Sequence, residues 1–173
     1  MDVLSKLAGA LGLGKKAFSL ARFQDPLGNF TISCPSDWHV DSDVAVVDGA
    51  YTISFASPDG RGAFNIHVDA GLKKGFDFSA YAKSELESPS SGVYTAVKKG
   101  KFRDMPAYNR EYCYRSSGQD YFAGGTMFFT GRAVFSISWN APESERKTME
   151  PAFSRMLESL ILLPGVTFRS GKF

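Results

Sequence analysis

The stretch from Phe23 to Trp38, Phe-Gln-Asp-Pro-Leu-Gly-Asn-Phe-Thr-Ile-Ser-Cys-Pro-Ser-Asp-Trp, constrains the fold more than any other part of this chain. Asp25-Pro26-Leu27-Gly28-Asn29 supplies the fixed and the positive φ angles that a tight reversal needs. Beyond it, Phe30, Ile32 and Cys34 alternate with Thr31 and Ser33, the two-residue period of a half-buried strand. Pro35 removes a backbone donor and ends the ladder, and Trp38 follows as a large apolar anchor. The segment reads as a hairpin that feeds a sheet. It holds no nucleophile, metal cluster or phosphate loop.

The same alternation recurs downstream. Ala45-Val46-Val47 leads into Asp48-Gly49, a hairpin turn signal. Tyr51, Ile53 and Phe55 form one strand face, and Phe64, Ile66 and Val68 another, with Asn65, His67 and Asp69 on the reverse side of the second. Four further strands are expected at Val93 to Lys99, Ala107 to Arg115, Tyr121 to Phe129 and Ala133 to Trp139. Their short connections, Ser116-Ser117-Gly118 and Thr130-Gly131, force antiparallel neighbours. Gly124-Gly125 inside a strand predicts a bulge or a close backbone approach. Helices are predicted from Ser79 to Leu86, capped by Ser79 or Asp77, and from Thr148 to Leu160, with Pro151 in the first turn. With 173 residues, 43% of them hydrophobic and 15 phenylalanine, the chain can bury one aromatic, sheet-rich core. The expected fold is α+β: a central antiparallel sheet of about six to eight strands flanked by helices. It is read as one up-and-down layer.

Residues 23–163 form the expected single domain, followed by a tail at 164–173. Residues 1–22 differ from it. Val3, Leu4, Leu7 and Leu11 recur at helical spacing, weakened by Gly9, Gly12 and Gly14, so a short amphipathic helix is expected there. It could dock on its own domain, on a partner or on a membrane surface. The acid at Asp2 and the lack of an apolar run argue against a secretory signal, and no stretch approaches the ~20 apolar residues of a membrane span. The chain is expected to be cytoplasmic, without stable membrane insertion, with Cys34 and Cys113 as reduced thiols in strands. A net charge of +2 gives no reason to expect a nucleic-acid partner, and Lys98-Lys99-Gly100-Lys101 with Arg103 reads as a solvated hairpin tip.

The order of elements resembles the Mog1/PsbP-like superfamily, which includes the extrinsic PsbP proteins of photosystem II, the Ran-binding Mog1 proteins and the bacterial DUF1795 proteins. The matching pieces are Asp25 to Gly28 with Phe30-Thr31-Ile32, Pro35 before Trp38, Phe64-Asn65-Ile66, the Tyr81 helix, Met105-Pro106-Ala107, and a terminal helix ending Leu157-Glu158-Ser159-Leu160. The resemblance covers residues 23–163. It implies a sheet with helices on both faces and a binding or assembly role through partners, as with chaperones of type VI secretion effectors. It carries no catalytic motif across.

Chemistry-bearing residues are sparse. His39 and His67 are the only histidines. His67 beside Asp69 could serve a metal- or small-ligand-dependent activity, the alternative function, although a lone strand histidine is more commonly a hydrogen-bonded surface residue. Asp41 and Asp43 read as solvated acids. No Gly-x-Ser-x-Gly elbow occurs, and Gly9, Gly12 and Gly14 precede any strand, which excludes a dinucleotide loop. No enzyme, cofactor or metal is expected. The binding reading rests on Tyr108, Arg110, Tyr112 and Tyr114, which share one face of a strand, with Phe122 and Phe128 extending an aromatic concavity. Tyrosine and arginine combine area with polar tips and are enriched at interaction hot spots. The competing structural reading has a helix covering these tyrosines. Asn109, Glu111 and Cys113 would form the wetter opposite face. The expected function is therefore a non-enzymatic protein-binding module (an adaptor, assembly factor or chaperone), a monomer or weak dimer acting on another protein.

Overall fold

The computed structural model describes residues 19–87 and 97–164. The strands are β1 (Leu20–Gln24), β2 (Phe30–Pro35), β3 (His39–Asp41), β4 (Ala50–Ala56), β5 (Ala63–Asp69), β6 (Lys98–Phe102), β7 (Met105–Ser116), β8 (Gln119–Phe129), β9 (Val134–Pro142) and β10 (Ile161–Leu162). Helix α1 spans Phe78–Glu87 and α2 spans Arg146–Ser159. Two sheets form, not one layer. A seven-stranded antiparallel sheet runs β3-β4-β5-β9-β8-β7-β6, and a three-stranded one runs β1-β2-β10. The opening hairpin belongs to the small sheet because β2 spends its second edge on β10. The large sheet is two meanders, β3–β5 and β6–β9. The chain leaves β5, crosses by α1 and enters the far edge at β6, then returns until β9 pairs with β5.

One face of the large sheet carries the main core. Ile53, Phe55, Phe64, Ile66, Phe128 and Ile137 are essentially sealed from water there, beneath the small sheet and α2. Phe30 meets Phe135 edge-on, Phe23 meets Phe55, and Phe153 of α2 lies against Phe64, Trp38 and Phe122. Such ring contacts add to area burial. The opposite face packs a smaller cluster, in which Ala82, Phe78 and Tyr81 of α1 meet Met127, Val134 and Phe129. Helices thus cover both faces of the large sheet, one of them only in part. No helix among the described residues is long and apolar enough to cross a membrane.

The local signals explain most boundaries. The Asp25 carboxylate, 1% exposed, accepts the Leu27 and Asn29 N–H groups and the Tyr51 hydroxyl at 2.6 Å, which ties the first turn to β4. Burial, with the Asp25 carboxylate beside it, raises the Tyr51 hydroxyl far above the ordinary phenol range. Asp77 caps α1 by accepting the Ser79 and Ala80 N–H groups. Asp48 and Gly49 hold φ of 51° and 83°, as a two-residue hairpin turn requires.

Several expectations are corrected. Val46 and Val47 are exposed, and only a single bridge from Val47 to Ala50 precedes the turn; the strand paired with β4 is the earlier His39–Asp41. The lysines Lys98, Lys99 and Lys101 lie on the exposed edge strand β6, and only Arg103 sits at the hairpin tip, reaching the Leu160 carbonyl at the end of α2. Residues 93–96 of the expected strand lie outside the described residues. The Gly124-Gly125 pair makes no bulge, since β8 pairs without interruption. The close approach is found instead: a Cβ on Gly125 would meet the Ile137 backbone carbonyl at 2.9 Å, and one on Gly124 would come within 2.5 Å of the Trp139 indole. Helix α2 starts earlier than expected, so Pro151 lies beyond its first turn and removes an interior N–H. β1 already includes residues 20–22, and the helix expected in the preceding residues lies outside the described ones.

Candidate binding site

The register of β5, β9, β8 and β7 lines the residues of the open face into rows. His67, Ser136, Met127 and Tyr108 make the first. Asn65, Ser138, Gly125 and Arg110 make the second, and Ala63, Asn140, Ala123 and Tyr112 the third. Tyr121 and Tyr114 face each other at the end. The two candidate constellations, the tyrosine–arginine strand and the His67 strand, therefore lie on one surface. Two strands intervene, so about 14 Å of sheet separates β5 from β7.

Helix α1 covers only the first row. The Tyr108 ring meets Phe78 edge-on at 5.5 Å, and its hydroxyl lies 2.7 Å from Ser79 Oγ. The covering reading is thus correct for Tyr108. Tyr112 and Tyr114 stay half-buried beyond the helix; their rings lie 5.9 Å apart, and Tyr114 stacks on Tyr121 at 5.2 Å. Asn140 Nδ2 donates to the Tyr114 hydroxyl at 2.8 Å and fixes that ring.

Phe122 departs from the expectation. It pairs with Cys113 across β7 and β8, which puts it on the core face, 3% exposed, against Phe153. Phe128 is fully buried on that side as well. Neither can extend an aromatic surface beside Tyr112. On the same side Glu111 and Cys113 are exposed, while Asn109 is half-buried, so that face is wet only along the outer part of β7. Cys113 lies near Arg146 and Glu143. Both cysteines are free, and burial raises the Cys34 thiol.

Between α1 and the second row lies a groove of about 360 Å³. Thr52, Asn65, His67, Ser136 and Ser138 provide its polar floor. Arg110 stands on the β7 side, and Tyr81 and Glu85 of α1 reach the rim. Burial, with Glu85 and Asp69 adding to it, raises the Tyr81 hydroxyl above its usual value. A Cβ on Gly125 would meet the Ile137 carbonyl at 2.9 Å, so that carbonyl confines the position to glycine, and Arg110 Nε lies 3.8 Å from where the Cβ would stand. Arg110 lies 5.3 Å from the Tyr112 ring centroid. Its Nε is sealed from solvent and has no hydrogen-bond partner.

The His67 ring is oriented by Thr52, whose Oγ1 lies 2.9 Å from Nδ1. Asp69 turns its Oδ1 to the Gly71 N–H at 2.9 Å. His39 faces Ala56, four residues along β4 from Thr52, about 13 Å away along the strand. Among the described residues no group of three histidine, cysteine or acidic side chains is placed to hold a metal. Sequence reasoning missed Thr52, Gly125, Ser136 and Ser138. The alternation of Ser136 and Ser138 with Phe135, Ile137 and Trp139 is the signal that could have found the serines.

No protein-family model and no curated protein matches the sequence. Solved structures do match in shape. The cyanobacterial PsbP of Synechocystis sp. PCC 6803 is 12% identical at a TM-score of 0.57, over 89% of this chain and 99% of that one. A protein from Bacteroides thetaiotaomicron VPI-5482 is 18% identical at a TM-score of 0.53, over 82% of this chain; the match spans about half, 47%, of that longer protein. Protein PA94 of Pseudomonas aeruginosa, of unknown function, is 19% identical at a TM-score of 0.50, over 86% and 99% of the two chains. Identities this low speak for the fold alone, and together with the seven-stranded sheet, the accessory three-stranded sheet and helices on both faces they establish that this chain has a PsbP-like α+β fold.

Proposed function

We propose that this chain is a non-catalytic binding module, an adaptor, assembly factor or chaperone, and that another protein docks on the open face at Arg110, Tyr112 and Tyr114. The observation that carries the reading is the contrast along β7. Tyr108 is spent on α1, whereas Tyr112 and Tyr114 stand half-exposed beside a guanidinium that has no acidic partner among the described residues. Rigid aromatic rings beside an arginine lose little entropy on docking and desolvate well. A cytoplasmic setting belongs to the same proposal, one in which the exposed Cys113 thiol stays reduced.

Affinity capture with the full chain tests the reading. Tyr112→Ser with Tyr114→Ser is expected to release the captured partner while the chain stays folded, its melting temperature lowered by the lost Asn140 bond and Tyr121 stacking. Retention of the same partner by that double variant excludes the face. A second reading, a metal- or small-ligand-dependent activity around His67 and Asp69, draws on the position of His67 in the groove floor. Saturating Zn²⁺, Mn²⁺ or Ca²⁺ must then raise the melting temperature by mass action, and an unchanged value removes the metal form of it.

A further inference from the structure

The least satisfied group on the open face is the Arg110 guanidinium. Arginine carries five N–H donors in a planar fork and cannot shed its charge. Here Nε is shielded from water without a partner, and the ring of Tyr112 lies beside the group. Leaving such a donor unmade costs more than a made bond returns. Arg110 packs across Gly125, where the Ile137 carbonyl leaves no room for a side chain, and lines the groove beside it. The adjacent floor offers the hydroxyls of Ser136 and Ser138 and the amide of Asn65. Nε itself is closed to a ligand, so what the groove meets is the rest of the fork, for which two acceptor oxygens in one plane are the fitting partner.

We propose that the groove beside Arg110 is a carboxylate subsite, filled by an acidic side chain of the protein partner as it docks on Tyr112 and Tyr114. This rests on the reading of the open face as the partner surface. Two features select a carboxylate over a phosphate. The groove holds a single fixed cation, and the rim carries Glu85, which opposes a dianion more than a monoanion. A fork-to-fork pair between arginine and carboxylate also supplies two parallel charge-assisted bonds.

The Nε–H proton of Arg110 gives a direct readout by NMR on the full chain. Titration with N-acetyl-aspartate methylamide is expected to shift that resonance saturably, whereas the asparagine analogue leaves it in place. Arg110→Gln is expected to weaken binding by about tenfold or more. Glu85→Gln, on the exposed rim, is expected to tighten it about twofold. An equal response to the asparagine analogue, no shift at all, or saturation by inorganic phosphate but not by the aspartate compound overturns the carboxylate subsite. Succinate binding more tightly than the aspartate compound keeps the subsite but overturns a protein partner as its source. The two readings fail separately. Partner capture lost in the tyrosine variant with no Nε–H shift removes only the subsite, and a shift with capture unaffected by that variant removes the tyrosine docking surface.

Discussion

At the scale of single residues, the buried polar groups divide by whether they are answered. Asp25 is answered three times over, by Leu27, Asn29 and Tyr51, and its carboxylate is a structural tie between the first turn and β4. Thr126 is not. It is 5% exposed on the core face beside Ile137, and its Oγ1 finds no hydrogen-bond partner. A buried hydroxyl without a partner keeps its desolvation cost, whereas a methyl of the same shape does not. Thr126→Val keeps the β-branch that suits a central strand and is expected to stabilise the protein by about 1 kcal/mol. Urea unfolding checks this, and a fall in the midpoint would show that the hydroxyl is satisfied in solution. Arg110 is the other unanswered group, and its position in a groove is what separates a ligand-seeking donor from a packing defect.

At the scale of elements, the sequence was legible wherever alternation and a two-residue turn met. Ser117 and Gly118, with φ of 50° and 80°, pair Ser116 with Gln119. Counting back from that pair puts Cys113 opposite Phe122 and Tyr112 opposite Ala123, so register, which alternation within one strand does not carry, decides that Phe122 faces the core. The Val46–Val47 run failed for another reason: apolar β-branched residues resemble a strand even when no partner strand takes them up. Strand β6 shows what an edge requires. Among the described residues β7 is its one neighbour in the sheet, and its residues Lys98 to Lys101 are all exposed. Lysines on an edge oppose pairing with another chain, because association would crowd and desolvate their charges. Lys99→Val with Lys101→Val is expected to produce concentration-dependent dimers or larger species by light scattering. A variant that stays monomeric would mean that the edge is protected by something other than its charge.

At the scale of the whole molecule, what could not be read was which distant elements meet. Nothing local in β5 specifies β9 as its neighbour, because the crossover through α1 and the second meander intervene. The His67 and Arg110 constellations therefore read as rival sites, although the fold puts them on one face. The small sheet poses the same problem more sharply. β2 is completed by β10, more than a hundred residues later, and the joint is made by Ser159 at the end of α2. Its hydroxyl accepts the Ser33 N–H at 2.8 Å and donates to the Met156 carbonyl at 2.8 Å. A serine at the close of the Leu157-Glu158-Ser159-Leu160 motif thus fastens the last helix to the opening hairpin. Ser159→Ala removes the acceptor and leaves a partly buried Ser33 N–H without it, an expected loss of about 1–3 kcal/mol. The loss belongs to a joint and not to a core cavity, so it has a local signature. Amide exchange at Ser33 should accelerate more than exchange at Ile66 or Ile137 in the centre of the large sheet. Uniform acceleration across both sheets would instead mean that the two unfold as one unit.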